Sequence, residues 1–264
     1  MWVRILAAVV GLAVVIPALL WGGVIALDIL LFLALVVGQY EYSRMAFPLE
    51  WRKYLILLLA VGFVVFVAML AQGLHAVGPI LTGALLVCFL AAMARPGELN
   101  LSADLTGRLL VGMTYVPLLL PFLGIIRRMD QGLALLFLAL VATWLGDTGA
   151  YFAGRTLGKH KMSPRLSPKK TWEGLVGGVI LSVGGTILLG CLTLEGVATW
   201  KIALLGGVTV LAGVLGDLAE SMLKRAFGVK DSGTIMPGHG GILDRVDSLL
   251  FAGPVFCLFA WLLL

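Results

Sequence analysis

The sequence predicts an all-α, polytopic integral membrane protein with about nine transmembrane helices and a cytoplasmic N-terminus. Three observations carry this. Of 264 residues, 61% are hydrophobic and 12% charged, with a mean hydropathy of +1.07; a soluble domain is about half apolar and about a quarter charged. Nine segments approach the roughly 20 mainly apolar residues that a bilayer crossing needs: 3–20, 23–41, 54–72, 76–94, 108–126, 132–153, 173–193, 201–223 and 247–264. Lys and Arg then divide unevenly between the two sides that these spans create. Helices are expected because lipid offers no partner to open strand edges.

Segment 3–20 follows Arg4 and has the outline of a signal peptide. More apolar segments follow it rather than a secreted domain, so it reads as a retained first helix. A tight turn near Trp21–Gly23 separates it from 23–41. Glu41 and Arg44, at i and i+3, are spaced to pair. Ser102 and Asp104 are expected to cap the fifth helix. In 132–153, Asp147 and Tyr151 share one face and lead into the basic loop 154–172. Ser167-Pro168 reads as N-cap and first-turn pair of the seventh helix. Lys169 and Lys170 then stand in its first turn, opposing the helix dipole unless an anion is bound. Free N–H groups plus two lysines suit a phosphate; attraction of anionic lipid is the plainer alternative. Gly174, Gly177, Gly178, Gly184 and Gly185 allow close helix packing, either within the chain or in a homodimer.

With the N-terminus inside, sixteen of the nineteen Lys and Arg face the cytoplasm and only Arg127, Arg128 and Lys201 lie outside. This agrees with the positive-inside rule. The net charge of +5 therefore marks cytoplasmic loops rather than a nucleic-acid partner. Cys88, Cys191 and Cys257 lie in apolar runs with no metal-type spacing, and they read as packing residues. Two regions are expected: 1–130 with spans one to five, and 131–264 with spans six to nine and the loops 154–172 and 224–246.

Eight of the fourteen Asp and Glu fall at or after Asp147. Carboxylates in or at the ends of spans are costly and point to function. In GDLAESMLKR (216–225), Asp217, Glu220, Ser221 and Lys224 share a helix face. In DRVDS (244–248), Asp244, Asp247 and Ser248 do the same. Acids converging from two helices suit Mg2+, which binds a few carboxylates plus substrate phosphates. Equally, they could form an ion-pair network with Arg225, Lys230 and Arg245. Between these helices lies Pro237-Gly238-His239-Gly240-Gly241. Its glycines can bring backbone N–H groups onto an anion. His239 could bond a phosphate, carry a proton or cap a turn.

The stretch SMLKRAFGVKDSGTIMPGHGGILDRVDSL (221–249) resembles the phosphatidate cytidylyltransferase (CDP-diacylglycerol synthase) family. That family is marked by a Ser-x-x-Lys-Arg start, a Lys-Asp pair, a Pro-Gly-His-Gly-Gly loop and an Asp-Arg-x-Asp end. Here these are Ser221, Lys224, Arg225, Lys230, Asp231, the 237–241 loop, Asp244, Arg245 and Asp247. GDTGAYFAGR and LSPKKTWEG are similar to a second region of the family. The resemblance implies transfer of a cytidylyl group from CTP to phosphatidic acid in phospholipid biosynthesis, with Mg2+ and an option of a second cation. Asp217, Asp244 and Asp247 are the implied metal ligands. Lys224, Arg225, Lys230 and Asp231 are implied in catalysis. Ser167, Lys169, Lys170, Thr171, Ser221, Gly238, His239, Gly240, Gly241, Arg245 and Asp147 are implied in substrate binding. The enzyme is expected in a bacterial inner membrane, its site facing the cytoplasm. The rival readings are a CTP-dependent transferase or kinase for another membrane lipid, and a secondary transporter. The clustering of charge at one face opposes transport.

Overall fold

The computed structural model describes residues 13, 15–94, 100–235 and 240–264. Most of the expected first span, together with Arg4, Arg95, Pro237, Gly238 and His239, lies outside the described residues. Among the described residues, seven helical stretches are long and apolar enough to cross a membrane. One of them, Trp51–Met93, contains both the third and the fourth expected spans. Gly73, at φ +58°, breaks it in two. The chain is an all-α polytopic membrane protein with, among the described residues, one short hairpin. It divides into two compact units, Met1–Ile125 with Ser232–Ile242, and Ile126–Asp231 with Leu243–Leu264.

The first unit contains α1 (Gly23–Ala46), α2 (Trp51–Gln72), α3 (Val77–Met93) and α4 (Asn100–Leu119). Helix α4 is central, with α1, α2 and α3 packed on it. Leu35, Leu58, Met69, Leu105, Leu109 and Met113 are fully buried. Several polar groups in this core donate to backbone carbonyls, as expected where lipid offers no partner. Gln39 Nε2 donates to Gly112 O at 2.9 Å and Tyr42 OH to Arg108 O at 2.7 Å. Arg108 Nη1 donates to Ala46 O at 2.6 Å, a cation on the C-terminal end of α1 where the dipole favours it.

Two expectations are corrected in this unit. Arg44 does not pair with Glu41; its Nη1 donates to Tyr40 OH and the guanidinium lies over Tyr40 and Trp51. The buried Glu41 instead accepts from Ser232 Oγ at 3.2 Å and from Ile242 N at 2.9 Å. Asp104 does not cap a helix start, because α4 already begins at Asn100. It pairs with Arg108 one turn on, at 2.8 Å.

Helix α5 (Phe122–Arg128) leads into the second unit, which contains α6 (Gly132–Thr156), the hairpin β1 (Lys161–Ser163) and β2 (Ser167–Thr171), α7 (Trp172–Thr193), α8 (Thr199–Ala226) and α9 (Leu243–Leu263). Helix α6 touches each of α7, α8 and α9. Its contact with α7 is glycine against backbone. A methyl on Gly178 would come within 2.7 Å of Gly146 O, one on Gly174 within 2.9 Å of Ala150 O, and one on Gly177 would overlap Ala153 Cβ. In lipid this close approach replaces hydrophobic exclusion as the source of helix affinity. Helix α8 meets α9 in the same way, with Gly216 against the Asp247 carbonyl and Phe251 Cβ.

The start of α7 also differs from expectation. Residues 167–171 form β2, antiparallel to β1 with Lys161 opposite Thr171. Thr171 is extended (φ −129°, ψ 156°), and its Oγ1 accepts from Gly174 N at 3.1 Å. The cap is therefore Thr171, not Ser167. Lys169 and Lys170 ride on a strand rather than in a first helical turn. The first turn carries Glu173 instead, the sign that the dipole favours.

Gly177→Ala should destabilise the fold by about 1–3 kcal/mol through overpacking. A methyl on Gly184 would meet nothing within 4 Å, so Gly184→Ala should leave stability unchanged or slightly raised. Thermal unfolding in one detergent compares the two; equal midpoints would refute the close-packing account.

Candidate active site

Within the second unit a cavity of about 310 Å³ opens between α6, the hairpin, α7 and α8. Asp147 and Tyr151 line it from α6, Lys169, Lys170 and Thr171 from β2, and Asp217 from α8. Met162, Leu175 and Val214 supply apolar wall. A mainly apolar wall with a few convergent polar groups is the usual character of a small-molecule site.

Lys170 sets the electrostatics of this cavity. Its Nζ pairs with Asp217 Oδ2 at 2.8 Å and donates to Val214 O at 3.3 Å. The strand thereby lays one ammonium across α8. Lys169 lines the cavity without an ion-pair partner among the described residues. Asp147, Asp217 and Asp247 lie within electrostatic reach of one another, because Gly216 lets α9 approach α8 at Asp247. Ser221 Oγ donates to Asp217 Oδ1 at 3.4 Å, and Ser248 N to Asp247 Oδ1 at 2.7 Å. The Lys170 ammonium already lies among these like charges, on Asp217.

One helical turn beyond Ser221, Lys224 Nζ sits between two carboxylates, Glu220 Oε2 at 2.5 Å and Asp244 Oδ1 at 2.6 Å. The Glu220 side chain is 1% exposed. This three-membered pair joins α8 to the first turn of α9. Asp244 thus meets Lys224, a cation that the expected network of Arg225, Lys230 and Arg245 did not include. Arg225 Nη1 donates to Val229 O at 3.1 Å and closes the turn after α8. Lys230, Asp231 and Arg245 are exposed, and Ser167 is half-buried on β2. Gly240, at φ +80°, and the buried Gly241 belong to the first unit.

The sequence reading did not assign Glu220 to the site. Its i, i+4 spacing to Lys224 is the signal that could have done so. The hairpin is also new. Its open end, where β1 begins and β2 passes into α7, is held by Glu173, whose carboxylate accepts from the Lys159 and His160 backbone N–H groups at 3.1 and 3.2 Å and meets His160 Nδ1 at 2.6 Å.

The donor set suits a hard cation, since it offers carboxylate oxygens and no thiolate. Among the described residues no three His, Cys, Asp or Glu already form an ion cage.

Lys224→Met would leave Glu220 and Asp244 facing each other without their cation. Breaking a buried pair from one side costs about 3–5 kcal/mol. Glu220→Gln keeps the Lys224–Asp244 contact and should cost clearly less. Denaturant unfolding in mixed micelles measures both, and equal losses would refute the shared-ammonium account.

A family model described as the cytidylyltransferase family matches residues 2–263. The phosphatidate cytidylyltransferase of Staphylococcus epidermidis is 34% identical over 256 residues, covering 97% of each chain. That of Staphylococcus aureus (strain COL) is 36% identical over 268 residues, again covering 97% of each. That of Staphylococcus saprophyticus is 46% identical over 134 residues, a match that spans 51% of this chain and 52% of that protein. The chain belongs to the cytidylyltransferase family.

Proposed function

We propose that this protein transfers the cytidylyl group of CTP to phosphatidic acid, giving CDP-diacylglycerol and pyrophosphate. The observation that carries this reading is the match across 97% of both chains with relatives named phosphatidate cytidylyltransferase. The lysine-lined cavity supplies a place for the phosphates in a chain built to span a membrane.

A phosphate oxygen of phosphatidic acid attacks the α-phosphorus of CTP in line. A new P–O bond forms as the bond from the α-phosphorus to the bridging oxygen breaks, and pyrophosphate leaves with that electron pair. The second pKa of a phosphate monoester is about 6, so the nucleophile is ionised at neutral pH without a strong general base. The work left to the protein is to bring two polyanions together and neutralise their charge. Lys169 and Lys170 bind phosphate oxygens at the cavity wall, and Thr171 with Ser167 holds their strand in place. Ser221, Arg225, Lys230, Asp231 and Arg245 are assigned to the outer substrate contacts.

Asp217 and Asp244, with Asp247 one turn along, would hold Mg2+. Bound there, the ion would supply neutralisation of the charge developing on the phosphates. In the structure Lys170 and Lys224 lie against these same carboxylates. Arriving phosphates would offer these ammonium groups a second set of anionic partners. The positive-inside asymmetry supports a site facing the cytoplasm of a bacterial inner membrane, with nine spans in all. A homodimer would use faces other than the Gly174, Gly177 and Gly178 stripe, which is occupied by α6.

Purified protein with labelled CTP and Mg2+ should form CDP-lipid and pyrophosphate only when phosphatidic acid is present. Product with a different lipid acceptor instead would reassign the substrate. Chelation should abolish turnover and Mg2+ restore it. Asp217→Asn and Asp244→Asn should each lower turnover by at least about 100-fold, in the range of lost charge stabilisation, in protein that still inserts and remains monodisperse. Near-normal rates in both variants would remove the metal assignment.

A further inference from the structure

Glu41 has no role in the mechanism above, yet it is 1% exposed near the end of α1. Its two carboxylate oxygens are divided between the two ends of one loop. Oε2 accepts from Ser232 Oγ at 3.2 Å, and Oε1 accepts from Ile242 N at 2.9 Å. These partners lie 191 and 201 residues away in the chain. Glycines permit the approach on both sides. A methyl on Gly233 would come within 2.7 Å of Glu41 Oε1, and one on Gly241 would overlap both Ser232 Oγ and the Glu41 carboxyl. Gly240 adds a left-handed turn, φ +80°, just before the second anchor. Bonds from N–H or O–H to a carboxylate are roughly twice as strong as neutral ones. One buried side chain thus fixes the distance between residues 232 and 242.

The chain connectivity makes this consequential. Asp231 directly precedes the first anchor, and Asp244 follows the second by two positions. Gly238 and His239 lie between the anchors in sequence. The start of α9, and with it the carboxylate that meets Lys224, is tied covalently to the point where Glu41 holds Ile242.

We propose that Glu41 is a positioning residue for cytidylyl transfer, clamping both ends of the 232–242 loop. This rests on the proposed function only for its activity readout. The test uses the full-length protein in detergent, with Glu41→Gln, Glu41→Asp and Ser232→Ala compared to wild type. Hydrogen exchange of the peptide covering Ile242 and the kcat and KM for CTP are both measured. In Glu41→Gln, the Ile242 amide should exchange at least about tenfold faster while α1 to α4 stay protected, and kcat should fall at least about tenfold, the scale of one lost charge-assisted bond. Ser232→Ala, which keeps the Ile242 anchor, should move the same way by less. Glu41→Asp, which keeps the carboxylate, should recover part of the rate. Wild-type turnover in Glu41→Gln would overturn the proposal. So would slower turnover with unchanged exchange at Ile242, or exchange rising throughout α1 to α4, which would make Glu41 a general fold determinant. If the wild type itself makes no CDP-lipid, the proposed function fails. The exchange at Ile242 then still decides whether the clamp exists.

Discussion

An ammonium shared between two helices organises the second unit. Lys224 lies between Glu220 and Asp244, at 2.5 and 2.6 Å, where both carboxylates are largely withdrawn from solvent. Isolated charges at such depth are expensive. Together they become tolerable only in an arrangement that brings the end of α8 to the first turn of α9. The charge requirement and the helix packing are then one constraint. Gly216 allows α9 to come close enough for the ammonium to reach Asp244, and the ion pair removes the reason for the two helices to separate.

The same coupling between small residues and charge recurs at the cavity. Glycine contacts between α6 and α7 hold Asp147 and the hairpin in a narrow range of positions. Strand β2 then delivers Lys170 to Asp217. The hairpin is anchored on both strands at its open end, by the Thr171 cap on α7 and by the Glu173 carboxylate on the Lys159 and His160 amides. A basic segment that would otherwise be a mobile juxtamembrane loop becomes a fixed cavity wall. Fixed charges suit a reaction between two polyanions, because their attraction for phosphate costs no further ordering.

Most of the helices were legible because bilayer thickness imposes a length and a hydropathy that need no partner to be recognised. Asp147 with Tyr151, and Asp217 with Ser221 and Lys224, were legible because helix periodicity sets which residues share a face. The start of α7 was not. Ser167-Pro168 satisfies the local rule for a helix start as well as Thr171 does, and pairing with residues 161–163 decided between them. The partner of Glu41 was hidden for a related reason. Arg44 is the nearer cation in sequence, but Tyr40 and Trp51 give its guanidinium aromatic faces, while Ser232 and Ile242 bring the carboxylate two directed donors.

By itself, the sequence determined the all-α membrane class and the faces of the polar helices. These depend on composition and on spacings of a few residues, which a helix converts directly into geometry. Tertiary structure alone decided which lysine meets which carboxylate, that the two loop lysines ride on a strand, and that Glu41 closes on residues about 200 positions away. Those outcomes depend on how closely two backbones can approach, and that is set by glycines on both partners at once rather than by either segment alone.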